Sequence, residues 1–455
     1  MKLKGILLVI GIAIFLYTDC QAGTKDTSAE NILTFGVNMR FRYEYMDNFN
    51  LNYYGDEPAK GKGTDGFLLG RLRMGMDYRP TKNIHVAVWG QHAQVWDIGF
   101  KESDFYNSTF DQENNPYEDE WELYNTYLEV TQILDQPLSM KAGRQIISYG
   151  DKRIFGPGQW GNTGKWIWDA VKFSYKLGDG FVDAFYGKTM LHDSDQFSLN
   201  HDHGFESYGF YSHFKLPKNL LGIMVEPFFM TKKNDRDTYK GENGQWEDFD
   251  SYYLGGRIFR MDLNGWDADF TFIKQEGDLS DDDIDAYGYH ALIGYNFKNI
   301  VFTPRISLEY SYASGDSDPT DGKKETFDGA FGARDKMFGR MNLFQWKNLK
   351  DAQINLEVKL KKGFYLTAEY HQFWLAEKED AWYLNKNYKD TTGNSGDKIG
   401  KEFDIVGRWD LPRGNQIQFG YGHFWPDEFA EKQASDKKAD WVFLQWTYNF
   451  SYGLI

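Results

Sequence analysis

Residues Leu33–Tyr45 read LTFGVNMRFRYEY. At period two, Leu33, Phe35, Val37, Met39, Phe41, Tyr43 and Tyr45 share one face, and Thr34, Gly36, Asn38, Arg40, Arg42 and Glu44 share the other. The first face is apolar enough to meet lipid, while the second carries charge into an interior. A later stretch repeats the plan, with Leu68, Leu72, Met74, Met76 and Tyr78 set against Arg71, Arg73, Asp77 and Arg79. An arginine facing lipid at the bilayer midplane costs roughly 2–4 kcal/mol. Arg40, Arg42, Arg71 and Arg73 are therefore expected to face a wet lumen, where two adjacent strands would gather them into a lining that attracts anions.

The first residues read as a secretory signal over 1–22. Lys2 and Lys4 supply the positive end, Gly5–Tyr17 the apolar run and Cys20-Gln21-Ala22 the small-residue cleavage site before Gly23. A lipidated Cys20 fits poorly behind Tyr17-Thr18-Asp19. With cleavage after Ala22 the mature chain 23–455 has no cysteine, which excludes a disulfide scaffold and a thiol nucleophile. No second run of about 18 apolar residues follows, so no membrane helix is expected. Yet 18% of residues are aromatic at a mean hydropathy of −0.63. A closed membrane barrel explains both, because only its outward face must be apolar.

The formal charge of −16 argues against an anion pore until the acids are located. They cluster at 102–122, 235–250, 280–285 and 377–380, between strand patterns, where they read as solvated loop surface. No nucleic-acid partner and no cofactor are expected.

The fold class read from this pattern is all-β, an outer-membrane antiparallel barrel of about eighteen strands. Short spacers occur at 80–83, 134–137, 177–180, 216–219, 261–265, 298–299, 361–363 and 411–414. Long ones lie near 47–65, 96–119, 149–167, 189–204, 232–249, 276–284, 314–350, 375–400 and 425–439. Short periplasmic turns alternating with long outer loops are the rhythm of such barrels. In Thr303–Tyr312, Ile306, Leu308 and Tyr310 are expected outward, and Arg305, Ser307 and Glu309 inward. In Trp441–Phe450, Val442, Leu444, Trp446, Tyr448 and Phe450 are expected outward, as a terminal strand for the barrel-insertion machinery. Trp89, Trp374, Trp409, Trp425 and Trp441 suit interfacial girdles that meet lipid and lipopolysaccharide.

Residues Gly143–Lys172 read GRQIISYGDKRIFGPGQWGNTGKWIWDAVK. Gly143-Arg144-Gln145, Tyr149-Gly150-Asp151, Arg153, Gly156, Trp160, Asn162 and Asp169-Ala170-Val171 resemble the signature of the alginate-export family. Arg71–Ile84 and Gly315–Gly332 are similar to other recurring segments of that family, so the resemblance covers nearly all of the mature chain. It implies an outer-membrane porin passing an anionic polysaccharide such as alginate, or small anionic solutes, as a monomer served by periplasmic export components. The best-characterised member has an arginine-lined constriction. The matching positions here are Arg40 or Arg42 on the first strand, Arg71 and Arg73 on the second, and Arg144 and Arg153, with Arg305 and Arg408 added by strand parity. A nutrient-specific or general diffusion porin of the same family is the alternative. A long periplasmic turn helps plug the alginate exporter, whereas Leu411-Pro412-Arg413-Gly414 is only a tight turn here. The longest loop, 314–350, carries Arg334, Lys336 and Arg340 and is the candidate for folding inward as a constriction.

A guanidinium offers a planar fork that stays charged at any working pH. Porin lumens also hold Arg–acid ladders that only stiffen the wall, and Glu44, Asp77, Glu129, Glu309, Glu357, Glu369 and Asp404 are available partners. Asp316, Asp318 and Asp321 before Gly322 approach calcium-loop spacing, but Pro319 and the missing bidentate Glu favour a hydrated loop. His192, His201 and His203 are close enough in sequence to be considered as metal ligands, although exposed loop histidines are the commoner case. A membrane enzyme would need a Ser–His or Asp–His constellation at the rim. His85, His290, His371 and His423 are scattered over separate strands with no local nucleophile motif.

Overall fold

The computed structural model describes residues 31–454 except 195, 198 and 243, so the signal sequence expected over 1–22 lies outside the described residues. Eighteen antiparallel strands form one closed barrel. The first, Ile32–Asp47, pairs with Asp65–Thr81 on one side and with the last strand, Ala439–Gly453, on the other. Closure within a single chain removes every lipid-facing sheet edge, as a bilayer requires. One wall strand is interrupted, running Asp119–Leu123 and then Thr126–Val130.

Strand parity is as the alternation predicts. Along Arg305–Ala313, Leu308 is 56% exposed while its neighbour Ser307 is 1% exposed. Phe173, Phe210, Ile258, Phe272 and Ile354 likewise present exposed side chains to the outside. Two of the girdle tryptophans depart from this. Trp89 shares its face with Ala87 and Gln91, both fully buried, and its Nε1 donates to Asp77. Trp441 alternates with outward Val442 and donates from Nε1 to Glu44 at 3.0 Å. Both indoles face the lumen by period-two parity: Trp89 lies in the middle of Ile84–Trp96, and only Trp441 is close to the end of its strand. Gly36 and Gly75, paired across two strands, leave the space that the Trp89 ring fills.

Two acid clusters also differ from expectation. Residues 235–250 and 280–285 lie largely within strands, since Met224–Lys240, Trp246–Leu263 and Asp282–Asn296 leave connections of only 241–245 and 280–281. Strands of 15 to 18 residues exceed the 9–11 or so needed to cross a bilayer. Their surplus stands beyond the membrane as a β wall that can carry charge. The 411–414 connection is the tight turn the sequence indicated, with Arg413 and Gly414 both at positive φ.

The interior is filled from the outer side. The 147–166 and 314–348 loops fold into the barrel, and Phe155 and Phe331 form a parallel bridge between them. Phe155, Trp168, Phe185 and Phe331 pack as one aromatic group, and Phe344 stacks on Phe373 of the wall at 3.7 Å. Replacing outward Leu308 by Arg should lower folding stability by about 2–4 kcal/mol, read as the shift in urea midpoint on folding into vesicles; no shift would place Leu308 away from lipid.

Candidate functional site

The lumen wall and the two inward loops form the candidate site. Arg40 and Arg71 are cross-strand neighbours, as are Asn38 and Arg73, so register brings the four sequence-predicted arginines of the first two strands together. Their partners then separate them. Arg40 donates to the carbonyls of Gln159 at 2.8 Å and Gly161 at 2.8 Å and to Asn162 Oδ1 at 3.0 Å. Arg42 donates from Nε to Glu44 at 2.7 Å and from a terminal nitrogen to the Trp160 carbonyl at 2.7 Å, with its guanidinium 3.8 Å from the Trp160 ring centroid. Arg71 reaches Asn38, and Arg73 reaches Gln91 and lies over Tyr124. Among the described residues, Arg40, Arg71 and Arg73 have no carboxylate within ion-pair distance.

The other four candidates are paired with acids. Arg144 is bidentate to Asp169 at 2.8 Å and also meets His201. Arg153 joins Asp151 at 3.2 Å and Glu309 at 3.9 Å. Arg305 lies between Asp267 and Glu357. Arg408 meets Asp410 near the periplasmic turn and is the most exposed of the set.

Asn162 explains why the 147–166 loop holds its path. Its buried amide donates to the Gly70 and Tyr117 carbonyls at 2.9 and 2.8 Å while its oxygen accepts from Arg40. Asp335 of the second loop accepts from the Gln159 and Trp160 amides at 2.7 and 2.9 Å. Arg340 of that loop chelates Glu369 of the wall.

Arg334, marked on the loop expected to fold inward, and two lysines that no sequence signal marked complete the lumen. Lys165, Arg334 and Lys347 sit on the inward loops, near enough to repel one another, and none has an ion-pair partner among the described residues. Lys165 still reaches lumenal solvent, but the protein packed around it, reinforced by Arg334, Lys232 and Lys347, draws its ammonium below its ordinary proton affinity. Burial also lowers Arg334, and Lys347 is pushed down to about 8 by burial against the pull of Asp328. Isolated lysines in loops carry no motif; only the path of the loops brings them together.

Of the remaining candidates the aspartates and the wall histidines disperse, whereas His192 and His201, buried rather than exposed, converge on Glu122. Asp318 and Asp321 each cap their own local turns, while Asp316 pairs with Lys324. His192 reaches Asp119 and Glu122, His201 reaches Glu122, and His203 reaches Asp169. His85 lies against Asp77, His423 against Asp440 and His371 against Asp351. His290 meets Ser311 at 3.0 Å, with both groups buried and Arg153 on the other side of the ring.

The sequence profile described as alginate export matches residues 31–443. The chain belongs to the alginate-export family. This family member shares its fold with OccD3 (OpdP) of Pseudomonas aeruginosa at a TM-score of 0.58 and 11% identity, over 96% of both chains. OccAB1 of Acinetobacter baumannii gives 0.59 at 10% identity, covering 96% of this chain and 100% of that one. OccK2 (OpdF) of Pseudomonas aeruginosa, solved in complex with glucuronate, gives 0.58 at 10% identity, covering 94% and 100%. No curated protein matches the sequence. Family and fold together make this alginate-export chain an outer-membrane channel of a Gram-negative bacterium.

Changing Asn162 to Ala should destabilise the family member by about 1–3 kcal/mol through the orphaned buried partners. Its open-channel current in planar bilayers should become larger and noisier, and an unaltered current trace would show that these bonds do not hold the loop.

Proposed function

We propose that the channel passes anionic solutes, with carboxylated sugars as the class that fits best. The observation that carries this is the set of lumenal cations without a carboxylate partner: Arg40, Arg71 and Arg73 on the wall, and Lys165, Arg334 and Lys347 on the inward loops. Cations crowded in a lumen without carboxylate partners repel one another, and an entering anion relieves that repulsion. Several weak stations in succession suit conduction better than one tight site. Glucuronate in the OccK2 structure is a carboxylated sugar held by a barrel of the same fold. The family description agrees with this class, since alginate is a polymer of uronic acids.

The cargo size is set by the two loops. A polymer needs them to part, whereas a monosaccharide or a short oligomer needs only a gap between them. The bonds from Asp335 to the Gln159 and Trp160 amides tie the loops to one another and favour the smaller cargo in the state described.

Reversal potentials across a salt gradient should show anion preference. Arg71→Ala combined with Arg73→Ala, or Lys165→Ala combined with Arg334→Ala, should weaken it, while Arg305→Ala in its acid ladder should change it less. Cation preference in the unaltered protein would overturn the proposal.

Lys347 adds a pH dependence. A lysine lowered to about 8 loses its charge as pH rises through that value, so anion preference should fall between about pH 7 and pH 9. Lys347→Gln should flatten that profile; an equally steep profile in the variant would remove Lys347 from the conducting path.

A further inference from the structure

Three adjacent strands, Leu349–Lys361, Phe364–Leu375 and Lys398–Asp410, bring Asp351, Glu369, His371, Glu402 and Asp404 to the lumen side. Glu369 stands in register opposite Asp404, and His371 opposite Glu402. None of the five is more than 7% exposed. Arg340 supplies the guanidinium bonded to Glu369, while its amide donates to Asp404 at 3.1 Å and the Met341 amide donates to Glu402 at 2.9 Å. Four carboxylates thus face one paired guanidinium and one imidazole. Like charges opposed across a sheet and removed from water are relieved by taking up a proton or by a further positive charge.

The imidazole indicates what kind. His371 Nδ1 lies 3.0 Å from Asp351, which orients the ring with a hydrogen on that nitrogen, so that the neutral imidazole offers its lone pair at Nε2. Nε2 is buried without a hydrogen-bond partner, and so are Asp404 Oδ1 and Glu402 Oε2. One ligand atom from each of Glu369, His371 and Asp404 lies within 4.8 Å of the others. Such spacing suits donors around one ion, and a carboxylate behind the imidazole is the outer support that orients a metal-ligating histidine.

We propose that Glu369, His371 and Asp404 bind a divalent transition-metal cation of the zinc or manganese class. One imidazole nitrogen with carboxylate oxygens suits these ions better than calcium, which takes an all-oxygen shell. Glu402 and Asp404 also hold the amides of Met341 and Arg340, so the ion fastens the inner stretch of the 314–348 loop to the wall. Asp351 is a positioning residue for His371.

A second group of similar composition, Asp119, Glu122 and His192, provides the contrast. His192 engages Asp119 through Nδ1 at 2.7 Å and the Gly164 carbonyl through Nε2 at 2.6 Å, so both ring nitrogens are occupied and no lone pair is left for an ion.

The test is equilibrium dialysis of the tag-free mature channel in detergent, stripped with chelator and then exposed to Zn²⁺ alone. One ion per chain is expected, with binding lost in His371→Ala and in Asp404→Asn and retained in His192→Ala. Asp351→Asn should weaken binding by about 10–100-fold. Heat-modified gel migration establishes that each variant is folded. X-ray absorption of the Zn²⁺-loaded unaltered protein needs no variant and should show a single imidazole among oxygen ligands. Absence of stoichiometric binding, binding abolished by His192→Ala, or a shell with no imidazole or with several would each overturn the proposal.

Discussion

The guanidiniums of Arg40 and Arg42 grip the carbonyls of Gln159, Trp160 and Gly161 inside the barrel, and the arrangement of the lumen depends on that grip. A loop that enters a barrel carries polar backbone with it, and each group that leaves water needs a partner. The 147–166 loop presents carbonyls to a basic stretch of wall. The 314–348 loop presents amides, from Arg340 and Met341, to an acidic stretch formed by Asp404 and Glu402. Wall charge of opposite sign thus seats the two loops, and Asp335 and the Phe155–Phe331 bridge join them to each other.

This division of labour changes the meaning of lumenal arginine. Arg42, Arg144, Arg153, Arg305 and Arg408 are neutralised by neighbouring carboxylates, and the first of these also holds loop backbone. Arg40 holds backbone without an acid, so its charge is satisfied as a donor but not cancelled as a field. Arg71 and Arg73 contact only neutral side chains by hydrogen bond. Near the first two strands three guanidiniums thus stand without a carboxylate partner, even though the whole chain carries a formal −16. The potential of a pore follows the charges at its constriction, and acids displayed on the outer wall are screened from it by water and salt.

The barrel was legible because its determinants are local. Alternation in Leu33–Tyr45 settles which side chains meet lipid, and turn residues at spacers such as 411–414 settle where strands reverse. The same locality explains the misreadings. Trp89 and Trp441 read as girdle residues, yet Trp89 sits mid-strand and the parity of both turns them into the lumen, where Asp77 and Glu44 receive their indole hydrogens. Acids at 235–250 lie on strands that outrun the membrane, a length that composition does not reveal. The segment Tyr149–Asn162 was recognisable as a signature, but its role as a loop anchor emerges only from contacts with Gly70 and Tyr117.

By itself the sequence determined the period-two strands, their inward and outward faces, the closed outer-membrane barrel and the gathering of Arg40, Arg42, Arg71 and Arg73. Only the tertiary structure decided which of those arginines keep an uncancelled charge. It also brought Lys165, Arg334 and Lys347 into one lumen and set Glu369 and His371 across from Asp404 and Glu402. The physical reason is range. Parity is decided between adjacent residues, whereas the partners of Arg40 lie 119 to 122 positions away and meet it only when the loop finds hydrogen bonds inside the closed wall.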